Sequence, residues 1–183
     1  IIFTMFEVAA LYKFSKILDP FKTHNSIRSK LKDLSVYGTI LVGGEGLNGT
    51  ISASNKKNLS DAISFLKQIN GFDDLDIKYS SSNKNPFVRL KIKLKKEIVT
   101  IGDESIDPTS EVGEYLNPNE WNKLLEDDET ILIDTRNNYE YSIGTFKKSI
   151  NPNTSKFREF PKWLEKKKFS NSDKNNKKVA MFC

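Results

Sequence analysis

Cysteine and histidine are nearly absent: the 183-residue chain holds one of each, Cys183 and His24. A single cysteine excludes an internal disulfide framework and a cysteine-cluster metal site, and a single histidine excludes a His-rich metal centre. No metal ligand set is therefore expected. His24 falls among polar residues of an expected helix and reads as a surface side chain, which leaves little room for a Cys-His pair. Long apolar runs are missing as well. No stretch approaches the ~18 apolar residues of a membrane span. The apolar start, Ile1 to Tyr12, is interrupted by Glu7 and has no basic leading segment, so it does not read as a signal peptide. A cytoplasmic protein with no membrane partner is expected.

What is present is moderately basic. Twenty-nine Lys and Arg against 24 Asp and Glu give a formal charge of +5, which permits an anionic partner without demanding one. Abundant Lys and Asn also look like an AT-rich coding bias, so charge alone decides little. The length suits one or two domains.

The first half alternates strand and helix signals. Phe6 to Phe14 is rich in apolar and β-forming residues. Asp19-Pro20 then opens a helix, with Asp19 as N-cap and Pro20 at the first helical position; Phe21, Ile27, Leu31 and Leu34 share its inward face. Strands are expected at Tyr37 to Val42, Thr50 to Ala53, Leu75 to Tyr79 and Val88 to Leu94. A second helix is expected from Asn58 to Ile69. The order β-α-β-β-α-β is that of a ferredoxin-like sandwich over residues 1–95. Residues 96–116 turn irregular, with Gly102, Pro108 and Gly113 at turn spacing, and read as a connector. From 117 to 183 an α/β pattern begins. Asn117, Pro118 and Glu120 form a capping box for a helix carrying Trp121, Leu124 and Leu125. A strand at Thr130 to Asp134, a loop, an extended piece at Ser149 to Asn151 and a helix at about Lys156 to Lys167 follow. A solvated loop from Asn171 to Lys178 leads to a last apolar strand. This second unit runs out before its sheet is covered on both faces, so it reads as incomplete.

Three constellations bear chemistry. Gly43-Gly-Glu-Gly-Leu-Asn-Gly49 superficially resembles a nucleotide fingerprint, but a strand follows its last glycine where a phosphate cradle needs a helix. A hairpin with glycines at positive φ is the better reading; Glu45 and Asn48 could still meet a ligand. In Phe87-Val-Arg-Leu-Lys-Ile-Lys-Leu-Lys-Lys96, a period of two puts Arg89, Lys91, Lys93 and Lys95 on one face and Val88, Leu90, Ile92 and Leu94 on the other. A solvated sheet edge would explain the lysines. A phosphate-contacting stripe explains four like charges better. The third is Asp134-Thr-Arg-Asn-Asn-Tyr-Glu140, then Gly144 to Pro152, then Cys183. The thiol follows Val179-Ala-Met-Phe182, a buried-strand pattern, and reactive groups in open α/β sheets sit past the carboxyl ends of strands. Arg136 either supplies charge to the thiol or shapes the loop through a bidentate pair with Asp134 or Glu140.

Asp134-Thr-Arg136, the Tyr139-Glu140 and Gly144 to Pro152 stretch, and a strand ending in Cys183 resemble a rhodanese domain. The whole chain resembles the bacterial rhodanese-domain tRNA uridine hydroxylases. The resemblance rests also on Val8 to Phe14, Gly44 to Thr50, Pro86 to Thr100 and Phe157-Arg-Glu-Phe-Pro161. It implies a ferredoxin-like domain joined to a rhodanese domain, with tRNA as partner and no DNA. It also implies 5-hydroxylation of the wobble uridine by molecular oxygen, with Cys183 catalytic and no other cofactor evident. The family's loop after this cysteine, with a second Cys, does not follow here, so the chain by itself is expected to be silent. Two other classes stand beside this one: a rhodanese-type sulfurtransferase or persulfide carrier using the same thiol, and a non-enzymatic RNA-binding module.

Overall fold

The computed structural model describes residues 5–103, 106–110, 112–167 and 178–183. It divides into two compact units, Ile1–Val99 with Glu104–Val112, and Thr100–Asp103 with Gly113–Cys183.

The first unit runs β1 (Phe6–Phe14), α1 (Pro20–Asp33), β2 (Tyr37–Gly43), β3 (Gly46–Ala53), α2 (Lys56–Lys67), β4 (Asp76–Ser82) and β5 (Leu90–Leu94). The strand order is β4-β1-β3-β2-β5. β5 runs parallel to β2, and every other pair is antiparallel. Four strands and two helices thus make the ferredoxin-like sandwich, and β5 extends its sheet beyond β2. Strand residues of one parity, Ala9, Leu11, Ile40, Val42, Leu47 and Ile51, are at most 2% exposed. They meet Ile27 and Leu31 of α1 and Leu59, Ile63 and Leu66 of α2 in one core. Each of the Leu, Ile and Val side chains stabilises by roughly 1.5–3 kcal/mol when fully buried.

Local chemistry sets the helix starts. Asp19 accepts the Lys22 N–H at 2.9 Å, with Pro20 in the first turn. Asn55 accepts the Lys57 N–H at 2.8 Å, so α2 begins at Lys56 and ends at Lys67, earlier at both ends than its apolar periodicity implies. Phe21, expected on the buried face of α1, is 66% exposed, and Val88, expected inward, is 97% exposed and lies outside β5. His24 is half-buried rather than a free surface residue. Its Nε2 lies 3.1 Å from the Ile92 carbonyl and its Nδ1 3.0 Å from Asn25 Oδ1, tying α1 to β5. The glycine run is mostly strand: pairing continues to Gly43 and Gly46, leaving Gly44 and Glu45 as the turn. Of its glycines only Gly46, at φ 153°, is in the left-handed region, so positive φ does not explain Gly49.

The second unit contains α3 (Pro118–Glu126), β6 (Ile131–Asp134), α4 (Asn138–Ile143), a 3-10 turn (Phe157–Glu159), α5 (Phe160–Lys167) and β7 (Val179–Phe182). The capping box of α3 forms as its sequence implies: Asn117 Oδ1 accepts the Glu120 N–H at 3.1 Å, and Glu120 Oε2 accepts the Asn117 N–H at 2.8 Å. β6 and β7 pair in parallel, Ile131 opposite Val179 through Asp134 opposite Phe182, and Ile150 bridges to Ile133. The stretch after β6, expected as a loop, holds α4, because Glu140 Oε2 accepts the Asn137 N–H at 3.2 Å in a second capping box. Of the solvated loop expected at Asn171 to Lys178, all but Lys178 lies outside the described residues. Among the described residues no helix is long and apolar enough to cross a membrane.

Candidate active site and nucleic-acid interface

β5 is an edge strand, and its alternation is real. Leu90 and Ile92 pack against the core, while Lys91 and Lys93 are exposed. Arg89 and Lys95 flank the strand rather than belong to it. Their backbone still continues the ladder, the Arg89 carbonyl accepting from Gly38 at 3.3 Å and the Lys95 N–H donating to Val42 at 2.8 Å. All four cations are exposed. Leu94, on the apolar parity, is 47% exposed, since nothing flanks β5 on its outer side in the five-stranded sheet.

Glu45 and Asn48 have structural work. Glu45 Oε1 accepts the Ile98 N–H at 2.5 Å, and Asn48 Nδ2 donates to the Ile98 carbonyl at 3.0 Å. Together they hold both peptide groups of a residue that is 1% exposed. The Ile98 side chain fills the space beside Gly43 and Gly46, where a Cβ would come within 3.1 and 3.0 Å of it. A cleft of about 330 Å³ opens next to this turn, lined by Lys16, Gly44, Glu45, Asp107 and Thr109 among others. Asp107 spends its carboxylate on the Thr109 N–H and hydroxyl, at 2.9 and 2.6 Å.

In the second unit, Asp134 ends β6 completely buried. Arg136 grips it twice, Nε to Oδ1 at 3.0 Å and a terminal nitrogen to Oδ2 at 2.7 Å. The Arg136 N–H adds a bond of 3.1 Å to Oδ1, and Thr145 Oγ1 one of 2.8 Å to Oδ2. Burial works to raise the Asp134 pKa, but these bonds prevail and hold the carboxyl below its ordinary value. Arg136 also donates to the Gly144 carbonyl at 2.7 Å, which closes the loop between α4 and Thr145 onto the strand end. Its guanidinium lies 5.6 Å from the centre of the Phe182 ring. Its pKa is raised, first by the hydrogen bonds to Asp134, against some burial, then by the charges of Asp134, Glu140 and Cys183. The expected bidentate partner is thus Asp134. Glu140 holds Asn137 instead, by backbone N–H and side-chain amide at 3.2 and 3.1 Å, and reaches Arg136 only through its charge. Cys183, a free exposed thiol, follows directly on Phe182. Parallel pairing of β6 with β7 is what brings this thiol and the Asp134-Arg136 clamp to the same carboxyl end.

Comparison with known proteins places both units in known families. Residues 6–98 match the UPF0176 acylphosphatase-like domain, and residues 117–183 match the rhodanese-like domain. A tRNA uridine(34) hydroxylase of Bartonella quintana is 45% identical over 182 residues, covering 97% of this chain and 58% of the relative. One from Acinetobacter baumannii (strain AYE) is 46% identical, covering 96% and 54%. One from Legionella pneumophila (strain Paris) is 42% identical, covering 96% and 68%. The chain belongs to this family. It spans little more than half the length of the first two of these relatives. Among solved structures, an acylphosphatase from Coxiella burnetii is 11% identical with a TM-score of 0.33, covering 49% of this chain and 92% of that one.

Several residues of this candidate site escape sequence reading. Thr145 is a second ligand of the Asp134 carboxylate. The Phe182 carbonyl accepts both the Thr135 N–H and the Thr135 hydroxyl at 2.9 Å, pinning the residue before the thiol to the end of β6. The Phe182 ring packs edge-on against Phe146 at 4.9 Å and Trp121 at 6.2 Å between centres. The Gly144 to Pro152 stretch flags Thr145 and Phe146 only as neighbours of a motif. Thr145 reaches Asp134, 11 residues back, and Phe146 meets Phe182 only because β7 docks beside β6.

Proposed function

We propose that the protein acts in 5-hydroxylation of the wobble uridine of tRNA, with Cys183 as the reactive thiol. The observation that carries this is the convergence of Cys183 with the buried Asp134-Arg136 clamp at one end of the β6-β7 pair, in a chain whose relatives are named for that reaction. Asp134 orients Arg136, and Thr145 and Gly144 complete the cradle. Arg136, stacked on Phe182, is a fixed positive charge beside the thiol. Replacing the C5–H of uracil by C5–OH with molecular oxygen leaves the second oxygen atom as water. The reaction therefore takes up two electrons and two protons from a reductant. Arg89, Lys91, Lys93 and Lys95 of the first unit contact tRNA phosphates in this reading. The partner is tRNA rather than DNA, and the location is the cytoplasm.

A sulfurtransferase would use the same thiol to accept sulfane sulfur, and the rhodanese-like match gives that reading its support. One experiment separates them. Wobble-position nucleosides are measured by mass spectrometry in cells lacking the gene, and in the same cells complemented with the gene or with its Cys183→Ser form. Loss of 5-hydroxyuridine derivatives, restored by the gene and not by Cys183→Ser, is the expected result. Unchanged 5-hydroxyuridine with a change in thiolated nucleosides would establish the sulfur reading instead.

A further inference from the structure

Among the described residues, contacts cover the two ends of the sheet face turned away from α1 and α2. At one end Ile98 lies over Gly43 and Gly46, and at the other Ser52 bonds to Asn85 at 2.9 Å. Between them, register places one residue from each strand in a row across the sheet: Lys78, Ala10, Thr50, Thr39 and Lys91. Lys78, Ala10 and Lys91 are exposed and the two threonines half-buried. A central strand that presents an exposed alanine leaves an open, shallow floor. A lysine stands on each rim; in the adjoining row Lys93 stands beside Lys91, half-buried Tyr12 lies on the floor, Asn48 is held by Ile98, and Asp76 stands beside Lys78 on the β4 rim.

We infer that this face is a platform for an unpaired stretch of RNA, its bases lying on the floor and its phosphates following the rim lysines. The inference rests on the tRNA reading above and extends it, since β5 becomes one rim of a surface that reaches across to β4. Three features point to single-stranded RNA. Three rim lysines, Lys91, Lys93 and Lys78, against one rim carboxylate, Asp76, leave the face net positive, which complements a chain of phosphates. An aromatic ring on the floor offers a stacking surface, as Tyr12 does in edge contact with Phe14 at 5.2 Å. Threonine hydroxyls on a flat floor can hydrogen-bond Watson–Crick edges, which only unpaired bases present. A duplex would present phosphates to the rims but no base to the floor.

The test is fluorescence anisotropy with the whole chain and two probes: a short RNA hairpin with an unpaired uridine-containing loop, and the same strand annealed to its complement. The hairpin should bind at least tenfold more tightly than the duplex. Ala10→Glu, on the floor beside the β4 rim, should weaken hairpin binding at least tenfold. Lys78→Glu, on an exposed edge where folding is not at stake, should weaken it at least threefold. Lys30→Glu, an exposed charge reversal on α1, should stay within twofold. Equal binding of hairpin and duplex, parent-like binding by Ala10→Glu and Lys78→Glu, or equal loss in Lys30→Glu, each overturns the platform. Failure of the hydroxylation reading shows separately, as unchanged 5-hydroxyuridine in cells lacking the gene.

Discussion

Gly49 is where one added carbon should do most damage. It sits inside β3, opposite Leu11 of β1 and Ile40 of β2, so it has a neighbour strand on each side. A Cβ built there would lie 2.3 Å from the Thr39 carbonyl oxygen and 2.8 Å from the Ile40 Cα, both backbone atoms, where real contacts essentially never fall under 3.0 Å. Neither atom can rotate away. The β2-β3 pair must part locally, and β2 is also held by β5. Overpacking of this kind costs about 1–3 kcal/mol, and a backbone obstacle argues for the upper half of that range. Alanine's lower conformational entropy returns only about 0.5–1 kcal/mol. For a unit near 100 residues each kcal/mol moves the midpoint by roughly 4–8 °C, so Gly49→Ala should melt about 5–15 °C lower. Both tryptophans, Trp121 and Trp163, belong to the second unit. The shift should therefore appear in far-ultraviolet dichroism, with the tryptophan emission transition in place. Gly44→Ala, in the same glycine run but with nothing nearer than Pro20 at 4.0 Å, is the matched control and should melt with the parent. If Gly49→Ala melts within about 2 °C of the parent, the close-approach argument fails. If it also loses RNA binding, the position serves a ligand.

Asp134→Asn should destabilise the second unit by about 2–4 kcal/mol at pH 7, because Arg136 loses its buried counter-charge; urea titration followed by tryptophan emission measures it. Since the folded carboxyl titrates below its ordinary value, its stabilisation is complete above the unfolded pKa of about 3.9 and is lost as pH falls through the folded one. The gap between parent and variant should accordingly narrow below pH 4. Reversing Lys91 and Lys93 together to Glu should flatten the slope of log K against log salt for tRNA by roughly 1.4–1.8 if each lysine makes one phosphate contact; an unchanged slope removes β5 from the interface. Glu45→Ala strips the buried Ile98 N–H of its acceptor and should cost about 1–3 kcal/mol, whereas Glu45→Gln keeps an oxygen in reach and should cost less than about 1 kcal/mol, both read from the urea midpoint.

Local signals carried the parts of this chain whose physics is local. Asp19-Pro20 and the Asn117-Glu120 pair announce helix starts because caps are satisfied within three or four residues, and both form as their spacing implies. Period-two alternation found β5 and its lysines for the same reason. The glycine run misled because a glycine's freedom is visible in sequence while its neighbours are not. Gly49 answers to the Thr39 carbonyl across a ladder, and no rule of turn chemistry contains that atom. Phe21 precedes Ile27 by six residues and so lies about 120° from it around α1, off the stripe that Ile27 and Leu31 bury, which is why it stays exposed.

Arg136 shows how far pairwise reading can go at the site. The sequence offers it two carboxylates, Asp134 at i−2 and Glu140 at i+4, and helical spacing alone would favour the latter. The choice is made by Asn137, which begins α4 and claims Glu140 for its own N–H and side-chain amide. With Glu140 turned toward Asn137, the guanidinium folds back on Asp134, bonds the Gly144 carbonyl and lies against Phe182. A helix cap thereby decides which way the positive charge faces. Because Phe182 is held to Thr135 by two bonds through its carbonyl, the same turn sets where the thiol of the next residue begins. The Asn137-Glu140 capping interaction touches neither the sulfur nor the arginine, yet it lies one residue from the guanidinium it helps to orient.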